Sequence, residues 1–242
     1  MTYRHALTRE SYADLSGGVL HSAPGFPGFP VRLASEMFQR ALAFVPGPAA
    51  HLWDPCCGSG HLLTALVLLH RRDITEVLAT DVDPEALILA RKNLDLLSEH
   101  GMDARSDELR ARAERLEKRS YLDAAASARR LARRLVESGG TLPYRVAQAD
   151  VFSADQLRRA LAGQRPNLVL TDVPYGEQTS WAGPDRAAGI DGMLAALEEV
   201  LDDDAVIAVA TRGRKARLAG PRRPLASFKI GTRAVVFCRA AR

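Results

Sequence analysis

The sequence predicts an α/β domain built on a doubly wound, mostly parallel sheet. Three observations carry this. Apolar strand-like runs alternate with amphipathic helical segments, a glycine turn joins the first strand to the first helix, and strand after strand ends on aspartate, at Asp54, Asp81 and Asp150. Ligands bind at the carboxyl ends of parallel strands, so a row of acids there marks a site as well as a fold.

The elements follow in order. Residues 1–30 are irregular, and "APGFPGFP" at 23–30 excludes regular helix because proline lacks a donor and fixes φ. "VRLASEMFQRALAF", 31–44, has apolar residues at helical spacing, and "VPGP" stops it. A short strand at 50–53 leads through "DPCCGSG" into the apolar helix "HLLTALVLLH". "TEVLATD" is a second strand ending at Asp81, and "DPEALILARKNLDLL" a second helix with Asp83 as N-cap and Pro84 at its first position. The βαβ unit is then complete, and its right-handed crossover implies the doubly wound sheet.

An Ala-, Arg- and Glu-rich helical insertion occupies 103–137, readable either as a solvated helix pair with i,i+4 charge pairs or as an RNA-binding arm. Strands resume at "YRVAQAD" (144–150), "NLVLTD" (167–172) and "DAVIAVAT" (204–211), with helices near 154–162 and 189–201. "LASFKI" and "RAVVFCR" form a closing hairpin around Gly231 and Thr232, giving seven strands with an antiparallel strand at the C-terminal end. The expected organisation is an N-terminal extension and helix over 1–45, then one domain over 46–242 that carries the insertion.

Composition excludes several classes. The chain has 242 residues, 47% of them hydrophobic, which suffices for one large core. No apolar run reaches the ~20 residues of a membrane span, and the polar N-terminus lacks a secretory signal, so a soluble cytoplasmic protein is expected with no membrane partner. Cys56, Cys57 and Cys238 are too few for a disulfide framework, and no cysteine or histidine spacing suits a metal. His51, His61 and His70 read as structural. Net charge is +4, but residues 211–242 hold ten Lys or Arg and no acid. Clustered cations gain free energy by releasing counterions from a phosphate backbone, which makes Arg212, Arg214, Lys215, Arg217, Arg222 and Arg223 candidate RNA contacts.

In "DPCCGSG", Gly58 and Gly60 let the backbone approach a ligand before the helix opens. The third glycine of a dinucleotide fingerprint is missing, and Asp54 precedes the turn, a poor arrangement for a pyrophosphate. The ligand should carry an amine or a positive charge. Asp81 lies 21 residues beyond Gly60, where an acid accepts the ribose hydroxyls of a nucleoside. A nucleoside with a cationic, amino-acid-like arm is S-adenosyl-L-methionine, and Asp54, Pro55, Cys56, Gly58, Gly60, Asp81 and Asp150 are its candidate contacts.

Three ordered blocks then carry a resemblance. "DPCCGSG" is similar to the Asp-Pro-x-Cys-Gly-Ser-Gly motif of RNA guanine-N2 methyltransferases, "TDVDPEALILARKNL" resembles their next block, and "TDVPYGE" resembles their Asn-Pro-Pro-Tyr-Gly loop. Over roughly 50–211 the chain resembles, among these, the avilamycin-resistance ribosomal RNA methyltransferases. The resemblance implies a Rossmann-like class I methyltransferase acting on a guanine of large-subunit 23S ribosomal RNA, at N2, with resistance to an orthosomycin antibiotic as the outcome. Two departures stand out. About 50 N-terminal residues leave no room for a separate RNA-binding domain, and Val173 occupies a position where the loop usually has proline.

The loop's chemistry is that of an exocyclic amine whose lone pair is delocalised into the ring. Hydrogen bonds to the Asp172 carboxylate and the Val173 carbonyl would turn that lone pair toward the methyl, with Pro174 restricting Val173 to extended backbone and Tyr175 stacking on an extruded base. Asp172 acts here as a positioning group before a general base. Phe26, Phe29 and Trp181 could frame the base or plug a loop. The same amine chemistry serves an amino-methyltransferase on DNA adenine or cytosine or on protein glutamine, and a non-catalytic ribosome-binding protein could keep the fold.

Overall fold

A computed structural model describes residues 3–6, 12–173, 186–213, 218 and 222–241. Its sheet contains β1 (Ala50–Asp54), β2 (Ile74–Asp81), β3 (Tyr144–Gln148), β4 (Leu168–Asp172), β5 (Val206–Arg212), β6 (Ala226–Ile230) and β7 (Arg233–Arg239). Their order is β3-β2-β1-β4-β5-β7-β6. The first five are parallel, while β7 pairs antiparallel with both β5 and β6. The winding of the sheet therefore reverses between β1 and β4, the topological switch point outside which doubly wound sheets bind their ligands in a crevice. Asp54 and Asp172 end the two strands that flank it.

The parallel strands are buried on both faces, which is why they read as continuous apolar runs. Period-two alternation divides them. Leu52, Leu168 and Leu170 face one core with Leu33, Phe38, Leu63, Leu94 and Leu131, while Trp53 and Val169 face the other with Leu157, Leu194 and Leu197. The first core thus packs under α2 (Val31–Leu42), α3 (His61–His70), α4 (Pro84–Leu94) and α6 (Arg119–Glu137), and the second under α7 (Ala154–Leu161) and α8 (Gly189–Glu198).

The insertion is a helical hairpin of α5 (Glu99–Leu116) and α6. It begins four residues before the expected 103, because the Ser98 hydroxyl accepts the Gly101 amide at 3.0 Å and caps the helix there. Ala128, Leu131 and Leu135 of α6 enter the main core, so this helix is packed structure on one side and Arg-bearing surface on the other.

The N-terminal extension is also woven in. Beyond the short α1 (Ala13–Ser16), Val19, Leu20 and Phe29 are buried in the first core. Arg105 of α5 donates to the carbonyls of Val19 (2.8 Å) and Gly18 (3.1 Å). Glu36 of α2, fully buried, accepts the backbone amides of Arg4, His5 and Ala6 at 2.8–2.9 Å. Further along, His21 shares Asn93 with Ser59 of the glycine turn, Gly28 meets His61 and Phe29 meets Arg233, which brings this segment to the strand ends.

Candidate active site at the carboxyl ends of the strands

The glycine turn after β1 is stitched to the end of β2. The Cys57 amide donates to the Thr80 carbonyl (2.9 Å), and the Gly58 amide donates to Asp81 Oδ2 (2.8 Å). Asp81 Oδ1 accepts the Asp83 amide at 3.0 Å, so one carboxylate orients both the turn and the entry to α4. Gly60 has φ 70°, and a Cβ there would lie 3.1 Å from the Ala90 Cα, which makes glycine obligatory on conformation and space alike. Asp83 caps α4 by accepting the Glu85 amide at 2.9 Å, with Pro84 at the first helical position, as the sequence predicts.

Asp54 is the most perturbed acid of the site. It is 2% exposed and accepts the Cys56 amide at 3.1 Å. Burial pushes its carboxyl up to about 7, against the lowering effect of Thr171 and the Cys56 amide and with the repulsion of Asp81 and Asp172 adding to it. Asp81 is also raised, chiefly by burial. Among the described residues neither forms an ion pair. A buried carboxylate that feels the charge of a partly buried neighbour, with amide donors on one side, calls for a cationic group on the other. Pro55 and Cys56 line the turn, and burial drives the thiols of Cys56 and Cys57 well above the ordinary range, which makes them inert packing groups. Among the described residues no cluster of His, Cys, Asp and Glu could hold a metal ion.

Asp150 requires a correction. It does not end β3, which stops at Gln148; the ladder continues only through the Ala149 amide, which donates to the Asp81 carbonyl at 3.0 Å. The Asp150 amide turns instead to Gln156 Oε1 (2.9 Å), and its carboxylate accepts the Phe152 amide (3.0 Å), forming the turn into α7. It is buried, two residues past the strand but still on the site's edge.

Asp172 ends β4 with its side chain 22% exposed. Arg233 Nη1 contacts both of its carboxylate oxygens at 3.1 Å, and that guanidinium lies 4.8 Å over the Phe29 ring. Arg233 escaped the reading of the sequence, where it is one more cation in a basic tail. Val173 is buried, and its amide donates to the Ala210 carbonyl at 3.1 Å, extending the β4–β5 ladder by one bond that proline lacks the hydrogen to make. Pro174, Tyr175, Trp181, Arg214, Lys215 and Arg217 lie outside the described residues.

The remaining candidates are scattered. Arg212 and Arg223 are exposed. Arg222 is not presented as a bare cation: its Nε and Nη2 donate to Glu198 at 2.5 and 2.9 Å, and Asp191 lies 3.7 Å away. A run without acids in sequence meets the acids of α8 in space. Phe26 sits in the turn closed by its amide on the Ala23 carbonyl. Gly28 presses on His61, whose Nε2 would be 2.9 Å from a Cβ at that position. His61 and His70 are depressed by burial, and His51 pairs with Glu76 at 3.5 Å; all three are packing groups.

Strand order, antiparallel seventh strand and acid-lined switch point together define a Rossmann-like class I methyltransferase. Comparison with known proteins narrows this. The family model described as rRNA methyltransferase AviRa matches residues 1–233, and the chain belongs to that family. It is 55% identical over 241 residues to a protein of Streptomyces viridochromogenes named 23S rRNA (guanine(2535)-N(1))-methyltransferase, covering 99% of this chain and 96% of that one. The solved structure of rRNA methyltransferase AviRa from the same organism superposes with a TM-score of 0.91 at 53% identity, over 100% of this chain and 97% of that one. TrmN from Thermus thermophilus matches at a TM-score of 0.50 and 16% identity, over 96% of this chain and 54% of that one, a likeness of fold alone.

Proposed function

We propose that this enzyme transfers a methyl group from S-adenosyl-L-methionine to N1 of a guanine in 23S ribosomal RNA. The observation that carries the reading is the 55% identity, along almost the whole of both chains, to a protein named for that reaction. The loop resemblance suggested N2; the name of this relative gives N1, and N1 is the position proposed here.

The residues present fit the cofactor. Asp54 supplies a buried carboxylate and Asp81 a partly buried one, neither in an ion pair among the described residues, suited to an ammonium and to ribose hydroxyls, and Gly58, at φ 51°, has open space where a Cβ would stand. S-adenosyl-L-methionine, when bound, supplies the methyl as an electrophile and leaves as a neutral thioether. The protein's own contribution is to position the base and manage its proton. Guanine N1 carries a hydrogen that must depart, and we assign its acceptance to Asp172, a reading supported by its partly exposed carboxylate at the end of β4. Ribosomes place the reaction in the cytoplasm, and no helix among the described residues is long and apolar enough to cross a membrane. Methylation at that guanine would protect the ribosome from avilamycin.

The test is incubation of the pure protein with radiolabelled S-adenosyl-L-methionine and unmodified 23S rRNA, 50S subunits, DNA or total protein, beside Asp172→Ala. Label in 23S rRNA that digests to 1-methylguanosine is expected, lost in the variant. Label in N2-methylguanosine, DNA or protein would refute the reading. Expression in an avilamycin-sensitive host tests the resistance separately.

A further inference from the structure

Asp172 and Arg233 are 61 positions apart, on β4 and on antiparallel β7, yet they meet at the same edge of the sheet. Register explains it. Asp172 pairs with Ala210 and Arg212 with Arg233, so the first residue of β7 stands level with the carboxyl ends of the parallel strands. Alternation places Asp172 on the face of Leu168 and Leu170, and Arg233 on the face of Val235 and Phe237, all four in the first core. Phe29, delivered by the proline-rich extension and 6% exposed, packs beneath the guanidinium. Proline on either side of the Phe26–Phe29 stretch restricts the backbone there, so the platform is held at low entropic cost.

We propose that Asp172 and Arg233 form a composite reader of the guanine Watson–Crick edge. This rests on the proposed function. That edge presents, in order, the N2 amine, the N1–H and the O6 carbonyl: two donors and one acceptor. With one Asp172 oxygen released from Arg233 Nη1, which spans both at 3.1 Å, the pair presents the complement, Asp172 accepting from N2 and N1 and Arg233 donating to O6. Adenine offers an amine where guanine has O6 and a bare nitrogen where guanine has N1–H, so it meets like against like at both positions. The pair also serves the chemistry. When the N1–H bond breaks and its proton passes to Asp172, the remaining electron pair is shared between N1 and O6. Arg233 places a positive charge where that negative charge accumulates.

The test compares wild type with Arg233→Gln and Arg233→Lys on unmodified 23S rRNA from about pH 6.5 to 9, with cofactor affinity measured calorimetrically and thermal midpoints recorded. Expected for Arg233→Gln is a loss of about 10²–10³-fold near pH 7 that shrinks about tenfold per pH unit as alkali removes the N1 proton directly, with cofactor affinity unchanged. Arg233→Lys, which keeps the charge, should retain more activity and a profile closer to wild type. An Arg233→Gln loss that is equal at every pH, or no loss, overturns the inference while 1-methylguanosine from wild type leaves the proposed function standing. If Arg233→Gln melts early, the Lys variant decides alone: a wild-type fold with a pH-independent loss overturns the inference. Wild type that yields no 1-methylguanosine overturns both.

Discussion

Asp54→Asn should stabilise the protein without cofactor and weaken it as an enzyme. Burial raises the Asp54 carboxyl from 3.8 to about 7. The raised value means the ionised form is disfavoured in the folded state relative to the unfolded chain. The stability associated with a protonated Asp54 is therefore fully present below the unfolded value of 3.8 and is lost as pH rises through about 7. The rise corresponds to about 4 kcal/mol of destabilisation above pH 7. Asparagine keeps the shape and an oxygen for the Cys56 amide but carries no charge to desolvate. In apo protein at about pH 8 the variant should gain up to about 4 kcal/mol, or roughly 2–4 °C of Tm per kcal/mol for a chain of this size, and the gain should vanish near pH 4. Cofactor affinity should move the other way, falling about 10–100-fold, the worth of a charge-assisted hydrogen bond. Thermal scans at the two pH values and titration calorimetry read both effects. A variant that melts below wild type at pH 8, or binds the cofactor equally well, would refute the idea that this acid is held charged for a cationic ligand at the expense of the fold.

Three further outcomes follow from the scaffold. Asn93, fully buried on α4, accepts the His21 amide (2.7 Å) and donates to the carbonyls of His21 (3.0 Å) and Ser59 (2.8 Å), so Asn93→Ala should cost about 3 kcal/mol and speed amide exchange at His21 before the core; protection unchanged at His21 would sink this. Glu36 is held down at about 2, with its backbone amides and Arg40 outweighing burial; its contribution of about 3 kcal/mol is present above its ordinary 4.5 and lost as pH falls toward 2. Glu36→Gln should therefore be less stable at neutral pH and lose the acid-limb slope, read by urea titration at pH 3 and 7. Val173→Pro removes the bond to Ala210 and should destabilise by about 1–3 kcal/mol; an unchanged Tm would show that the ladder bond is dispensable.

The sequence carried most of the frame because its signals are local. The glycine turn, the Asp83–Pro84 cap and the Gly231–Thr232 hairpin depend on residues within a few positions of each other, and each stands where expected. Asp150 was displaced from its strand because nothing in "YRVAQAD" announces that Gln156, six residues on, takes its amide. Arg222 could not be told from its neighbours, since Glu198 and Asp191 reach it only through the packing of α8. Arg233 was invisible for the same reason: its partner is 61 positions away, and its meaning comes from strand register.

The extension makes the same point about function. The described part of the N-terminal extension is pinned at Ala6, Val19 and His21 by Glu36, Arg105 and Asn93, three side chains that spend their hydrogen bonds on backbone. What those anchors deliver is Phe29 under Arg233 and Gly28 against His61, the residue that opens α3 directly after the glycine turn. The N-terminal segment thus helps to build the crevice itself. A variant that frees it, Asn93→Ala among them, should disturb the base-facing pair and the cofactor turn together, because Asn93 bonds the segment through His21 and the turn through Ser59.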